Sequence, residues 1–310
     1  MWTLVSGLFM GWAQGSNDAA SLFGPAVETQ ALGFRAAACL VSVFAVLGAA
    51  LVGSRGFSTY GAIGSQTLLT SLTTMLAAGT TVVLMTGLRL PVSGTQAVVG
   101  AIIGGALLTG GIDFHPLSKI FVSWILTPLS GLVAAYVPYR LISLHPHALL
   151  GRLASRERVV RIGLILVTAY AAFAYGANNV ANVTGVFVRA GVIAPLPAAL
   201  VGSAALALGI QTLGRRVIRT VGSAIVSLNP FAALVVVLAQ AITLYGYALL
   251  GVPVSISQAV IGAIVGIGLV KGARTIDGRV LLRVAFGWIG TPVIACAVSL
   301  GFALLARAVG

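Results

Sequence analysis

The sequence predicts an all-α polytopic membrane protein, built as two inverted-topology repeats of about five membrane segments each. Broken helices or re-entrant half-helices are expected to meet at the bilayer midplane. Three observations lead there: an apolar composition, a succession of bilayer-length apolar runs, and a set of motifs written twice in one order.

Of the 310 residues, 59% are hydrophobic and 7% charged, whereas a soluble domain carries roughly 25% charged residues. Mean hydropathy is +1.08. Apolar runs at 31–53, 66–88, 117–142, 196–214 and 231–250 are each long enough to cross a bilayer. The first apolar segment lacks a basic leader and continues into a polar stretch, so no cleavable signal peptide is expected. The net charge of +13 sits in short loops between apolar runs. A cytoplasmic bias of Lys and Arg accounts for it, and nucleic acid is not an expected partner. Cys39 and Cys296 lie in distant apolar segments and are expected to be free, buried thiols.

The repeats come next. Residues 91–104 read PVSGTQAVVGAIIG and residues 253–266 read PVSISQAVIGAIVG, identical at ten of fourteen positions. GSNDAASLFGPAV at 15–27 corresponds to GANNVANVTGVFV at 176–188, and WILTP at 124–128 to WIGTP at 288–292. The offsets of 161, 162 and 164 keep one order, which divides the chain into a first repeat at 1–150 and a second at 151–310.

Loop charge chooses between parallel and inverted halves. Five crossings per half invert the second half. With both termini outside, the inner loops hold Arg35, Arg89, Arg140, Arg152, Arg156, Arg158, Arg161, Arg215, Arg216, Arg219, Lys271, Arg274, Arg279 and Arg283. Only Arg55, Lys119, Arg189 and Arg307 remain outside, a split of fourteen to four. Four crossings per half give ten to eight at best, so the inverted arrangement is favoured. Secondary transporters use inverted repeats to bring broken helices together at the midplane.

Polar residues interrupt these segments in symmetric pairs. Gly15–Asp18 and Gly176–Asn179 put glycine and consecutive polar side chains inside membrane-crossing runs. Each is expected to break its helix and open a new half-helix, whose free N–H groups favour an anion. Pro91 and Pro253 fit the first turn of a helix. Ser93, Thr95 and Gln96, with Ser255, Ser257 and Gln258, then cluster small donors around an oxyanion. Gly100, Gly104 and Gly105, with Gly262, Gly266 and Gly268, allow close helix packing. Asp18, one of five acidic residues, is an ionisable group in a membrane segment and therefore a functional candidate. His115, His145 and His147 fall in loops without metal-ligand spacing and receive no role. Gln66, Thr70, Thr73 and Thr74, and the single Gln211 and Gln240, read as packing groups.

On these residues the sequence resembles the inorganic phosphate transporter (PiT) family, including its sulfate permease branch. Its hallmarks are a duplicated G-A-N-D-V-A-N motif in inverted halves and a P-[VI]-S-[TS]-T-H motif before a glycine-rich helix. The resemblance implies uptake of phosphate, or sulfate in one branch, coupled to sodium or protons. It puts the anion at Ser93, Gly94, Thr95, Gln96, Ser255, Ile256, Ser257 and Gln258, with Asn17, Asn178 and Asn179 beside it. The coupling cation, Na+ or H+, is assigned to Asp18 with Asn17, Asn178 and Asn182. The chain departs from the pattern where Asn179 replaces the second Asp and Gln96 and Gln258 replace the His. It is also short, without the long central loop of many relatives.

The expected function is a secondary active transporter of a tetrahedral inorganic oxyanion in the cell membrane, working by alternating access. Neutral amides at 96, 179 and 258 tip the expected anion narrowly toward sulfate over phosphate, since sulfate offers only acceptors. An anion channel is the reading from another class, and Asp18 argues against it. No HExxH, GxSxG or His-carboxylate pattern suggests an enzyme. No cofactor beyond the coupling ion is expected, and a homodimer is plausible for such a protein.

Overall fold

The computed structural model describes residues 2–64, 67–88, 90, 92–109, 111–144, 157–221, 228–272 and 278–309. Expectations placed on Gln66, Arg89, Pro91, His145, His147, Arg152, Arg156 and Arg274 fall outside them. Among the described residues every regular element is helical. The first half holds α1 (Leu4–Glu28), α2 (Phe34–Val52), a 3-10 turn (Gly53–Gly56), α3 (Phe57–Ile63), α4 (Leu68–Gly87), α5 (Gly94–Thr109) and α6 (Phe114–Leu144). The second holds α7 (Glu157–Asn179), α8 (Ala181–Arg189), α9 (Pro195–Val221), α10 (Pro230–Leu249), α11 (Ile256–Lys271) and α12 (Gly278–Val309).

Among the described residues seven helical stretches are long and apolar enough to span a membrane: Phe34–Tyr60, Leu68–Gly87, Phe114–Leu144, Glu157–Arg189, Pro195–Ile218, Pro230–Leu249 and Leu281–Ala308. Helices α5 and α11 have 16 residues each. At 1.5 Å per residue each is about 24 Å long, short of the roughly 30 Å hydrocarbon core, so each stops short of a full crossing, as expected of a half-helix.

Packing runs across the halves. Helix α1 lies on α9 and α7 on α2; α5 lies on α12 and α11 on α6; α4 meets α1 as α10 meets α7. Exchanging one half for the other reproduces each of these pairs. Glycines make the crossings close. A Cβ on Gly15 would come within 2.0 Å of Leu206 O, and one on Gly176 within 1.8 Å of Ala45 O. At the other crossing type, a Cβ on Gly100 would meet Pro292 O at 2.2 Å and one on Gly262 would meet Pro128 O at 2.0 Å. Backbone contact of this kind drives association where lipid removes the hydrophobic contrast.

Four expectations need correcting. The Asn motifs do not break their helices: α1 is continuous through Gly15–Asp18. The second motif is interrupted only at Val180, whose dihedrals stay helical (φ −62°, ψ −28°) and whose N–H reaches Gly176 O at 3.3 Å. Ser16, Asn17, Asn178 and Asn179 find partners on other helices, so the backbone has no reason to open. Pro253 precedes α11 instead of entering its first turn, in an extended stretch that ends at the cap Ser255. Both cysteines are free, but Cys39 is exposed and Cys296 only half-buried, on apolar faces that need no protein cover in lipid. His115 lies in the first turn of α6, with its N–H donating to Asp113 Oδ1 at 2.8 Å.

Other polar residues hold the scaffold. Thr70 closes a capping box with Thr67 at the start of α4, and Gln211 donates to Ser42 Oγ at 3.1 Å.

Candidate functional site

Each half-helix is launched by the same local chemistry. Helix α10 ends at Gly251, whose positive φ (70°) is cheap only for glycine. Val252 N–H bonds to Tyr247 O at 3.0 Å and Gly251 N–H to Ala248 O at 3.1 Å, a Schellman closure. Helix α4 ends with the corresponding Leu90 N–H to Met85 O bond at 2.9 Å. The chain then turns into α5 and α11 through capping serines. Ser93 Oγ accepts from Gln96 N–H at 3.3 Å, and Ser255 Oγ accepts from Gln258 N–H at 3.4 Å.

These two N-termini meet. Thr95, in the first turn of α5, donates through Oγ1 to Val254 O at 3.1 Å, just ahead of α11. Ser255 Oγ lies 2.9 Å from Ser257 Oγ. Ser93, Thr95, Gln96, Ser255, Ile256 and Gln258 are all buried, and Ser257 is half-buried. Among the described residues no protein acceptor takes the backbone N–H of Gly94, Thr95, Ile256 or Ser257. Two helix dipoles, free N–H groups and hydroxyls therefore converge on one point, an arrangement suited to an oxyanion.

The Asn motifs flank this point. Asn178 braces the second half-helix: its Oδ1 accepts from Val254 N–H at 2.9 Å and its Nδ2 donates to Val252 O at 3.2 Å. Asn179 Oδ1 accepts from Gln14 Nε2 at 2.9 Å and from Asn182 Nδ2 at 3.0 Å. Asn182 Nδ2 also approaches Thr95 Oγ1 at 3.3 Å, joining this cluster to the half-helices. On the other flank, Asn17 Nδ2 donates to Asp18 Oδ1 at 3.0 Å, and Thr86 Oγ1 donates to Asn17 Oδ1 at 3.1 Å. Asp18 is 2% exposed, and its Oδ2 has no hydrogen-bond partner. The Tyr175 hydroxyl and the Gln14 amide are its neighbours, and that hydroxyl has no partner elsewhere.

The predicted residues thus gather in one region, but as two clusters. Asn17 and Asp18 form one; Asn179 and Asn182 form the other, with Asn178 tied to the α11 loop. Sequence reasoning missed Gln14, Tyr60, Thr86 and Tyr175. The repeat offset of 161 carried a signal for two of them, because it aligns Gln14 with Tyr175, each four residues before the acid position and so on its helix face.

Two cavities adjoin. One of about 620 Å³ borders Gln96 and Gln258 and is walled by Trp124, Trp288, Ile289 and Val293. The other, about 330 Å³, reaches Ser16 and Thr86 and is bordered by Arg216.

Comparison with known proteins agrees with this architecture. The sequence model of the phosphate transporter family matches residues 14–299. A protein of Methanocaldococcus jannaschii, provisionally named a phosphate permease, is 28% identical over 94% of this chain and 93% of its own. One so named from Pyrococcus furiosus is 26% identical, covering 93% and 92%. A solved structure described as the sodium-dependent phosphate transporter superposes with a TM-score of 0.91 at 25% identity over 100% of both chains. With the seven apolar spans, these matches make the chain an integral membrane protein.

Proposed function

The chain belongs to the phosphate transporter family, and from that premise we propose that it is a secondary active transporter carrying inorganic phosphate together with a cation. The carrying observation is the pairing of two capped, buried half-helix N-termini with a buried carboxylate that has an unpartnered oxygen. The anion binds between α5 and α11, to the backbone N–H groups of Gly94, Thr95, Ile256 and Ser257 and the hydroxyls of Ser93, Ser255 and Ser257. Asn178 and Asn179 shape the site from behind. Asp18 with Asn17 holds the cation, and sodium is favoured because the structural relative is described as sodium-dependent. Asp18 Oδ2, Asn17 Oδ1 and the Tyr175 hydroxyl supply oxygen donors of the kind a hard cation prefers.

Phosphate replaces the sulfate expected from the amides at 96, 179 and 258. The relatives and the solved structure are named for phosphate, and an amide brings an acceptor as well as a donor. Gln96 Oε1 and Gln258 Oε1 are buried without partners. A protonated phosphate can donate to them, whereas sulfate cannot.

The pairwise exchange of helix contacts between halves supports a repeat at 1–150 and another at 151–310. The loop-charge bias supports their inversion and both termini outside the cell membrane, and inversion suits rocking of one bundle against the other. The test is uptake of labelled phosphate and sulfate into proteoliposomes under imposed sodium and pH gradients. Phosphate accumulation driven by sodium is expected. No accumulation of either anion under any gradient removes the reading; ion conductance without accumulation indicates a channel.

A further inference from the structure

We infer that a single cation, held at Asp18, accompanies each anion, because the repeat-related position 179 is sealed by hydrogen-bond donors. The inference rests on the symport reading above. Two equivalent places flank the anion site, and symmetry alone would make both of them cation sites. Their chemistry differs in kind.

At position 179 every amide oxygen already faces a donor. Asn179 Oδ1 takes Gln14 Nε2 at 2.9 Å and Asn182 Nδ2 at 3.0 Å. The two hydrogens of Asn182 Nδ2 are shared among Asn179 Oδ1, Gln14 Oε1 at 3.2 Å and Thr95 Oγ1 at 3.3 Å, and Asn182 Oδ1 takes the Tyr60 hydroxyl at 2.5 Å. An amide oxygen has two lone pairs, so Asn179 Oδ1 is fully used. A cation there would meet the positive ends of two N–H bonds and would have to displace both. Gln14, Asn179 and Asn182 are each at most 1% exposed, so water could not satisfy the groups displaced. Position 179 itself carries no carboxylate.

Position 18 is the reverse. A carboxylate can accept about four hydrogen bonds; Asp18 takes one short bond, from Asn17, with the Gln14 amide and the Tyr175 hydroxyl as its further polar neighbours. Its second oxygen has no bond within hydrogen-bond distance, and the buried Tyr175 hydroxyl that faces the carboxylate has no other partner. The difference traces to one aligned pair. In the first half, residue 14 is an amide long enough to reach Asn179; in the second, residue 175 is a tyrosine whose hydroxyl is left beside Asp18. The clasp is also built into the anion site. Gln14 lies over Gly94, where a Cβ would come within 2.5 Å of its Cδ, and Asn182 reaches Thr95. On this flank a direct amide bridge does permanently what a bound cation would do transiently.

The experiment counts ions with the full-length protein. Phosphate and sodium labelled as 32P and 22Na are followed in proteoliposomes at clamped potential, and 22Na bound per chain is counted at saturating phosphate. One sodium per phosphate, one bound per chain and a Hill coefficient of one are expected. If protons drive uptake instead, the proton-to-phosphate ratio read from the pH gradient at which net 32P-phosphate flux stops is expected to be one. Gln14→Ala with Asn179→Asp opens and charges the second place, and a second bound 22Na per chain is expected. A wild-type ratio of two with intact uptake overturns this inference alone. A folded, transporting double variant that still binds one sodium also overturns it. Absence of any cation drive overturns it together with the symport reading.

Discussion

Asn178 clamps the chain at Val254, accepting its N–H at 2.9 Å, 76 residues away in sequence. The bond ties the second Asn motif to the entry of α11, so one half-helix terminus is aimed by a side chain from a different helix. Asn178→Ala would leave this buried N–H and the Val252 carbonyl without their partner, a penalty of about 1–3 kcal/mol per group. A lower melting temperature and phosphate affinity reduced by roughly tenfold or more are expected, since 1.4 kcal/mol is a factor of ten. Equilibrium binding of 32P-phosphate to purified protein reads the effect; unchanged affinity would free the α11 loop from dependence on Asn178.

Gly176→Ala tests the α2–α7 crossing. Its Cβ would lie 1.8 Å from Ala45 O, and backbone on both sides leaves nothing to swing away. Loss of monodisperse protein in detergent is expected. Gly24→Ala, with nothing within 4 Å of its added Cβ, is the control and should be tolerated.

Ser93→Ala combined with Ser255→Ala removes both capping oxygens, at about 1 kcal/mol per cap. The protein is expected to remain folded, with weaker phosphate binding and an unchanged cation requirement. Binding isotherms at several sodium concentrations separate these effects, and unaltered anion affinity would move the site elsewhere.

Asp18→Asn removes the one carboxylate in the site while keeping its size. Sodium-driven phosphate accumulation is expected to disappear while size-exclusion behaviour stays that of the parent. Retained sodium dependence in the variant would show that another group couples the cation.

Gln96→Leu with Gln258→Leu deletes two buried acceptors that lack protein partners. Phosphate is expected to lose affinity more than sulfate does, narrowing the preference in competition assays. Equal losses for both anions would mean that the glutamines do not read the phosphate proton.

The sequence by itself determined the class, the duplication and the residues that gather at the centre. Apolar runs must be helical in lipid, and the twin PVS segments carry their caps at Ser93 and Ser255 in plain view, because capping is local chemistry. What it could not give was decided by contacts far apart in the chain. GSND read as a helix break because four small or polar residues in lipid need partners. Only the fold supplies them, with Gly209 O for Ser16 and Thr86 for Asn17, and once supplied they leave α1 intact. Likewise Asn179 read simply as a missing acid. Its oxygen is filled by Gln14, 165 residues earlier, and a hydrogen bond across that separation exists only after the two repeats have packed through each other.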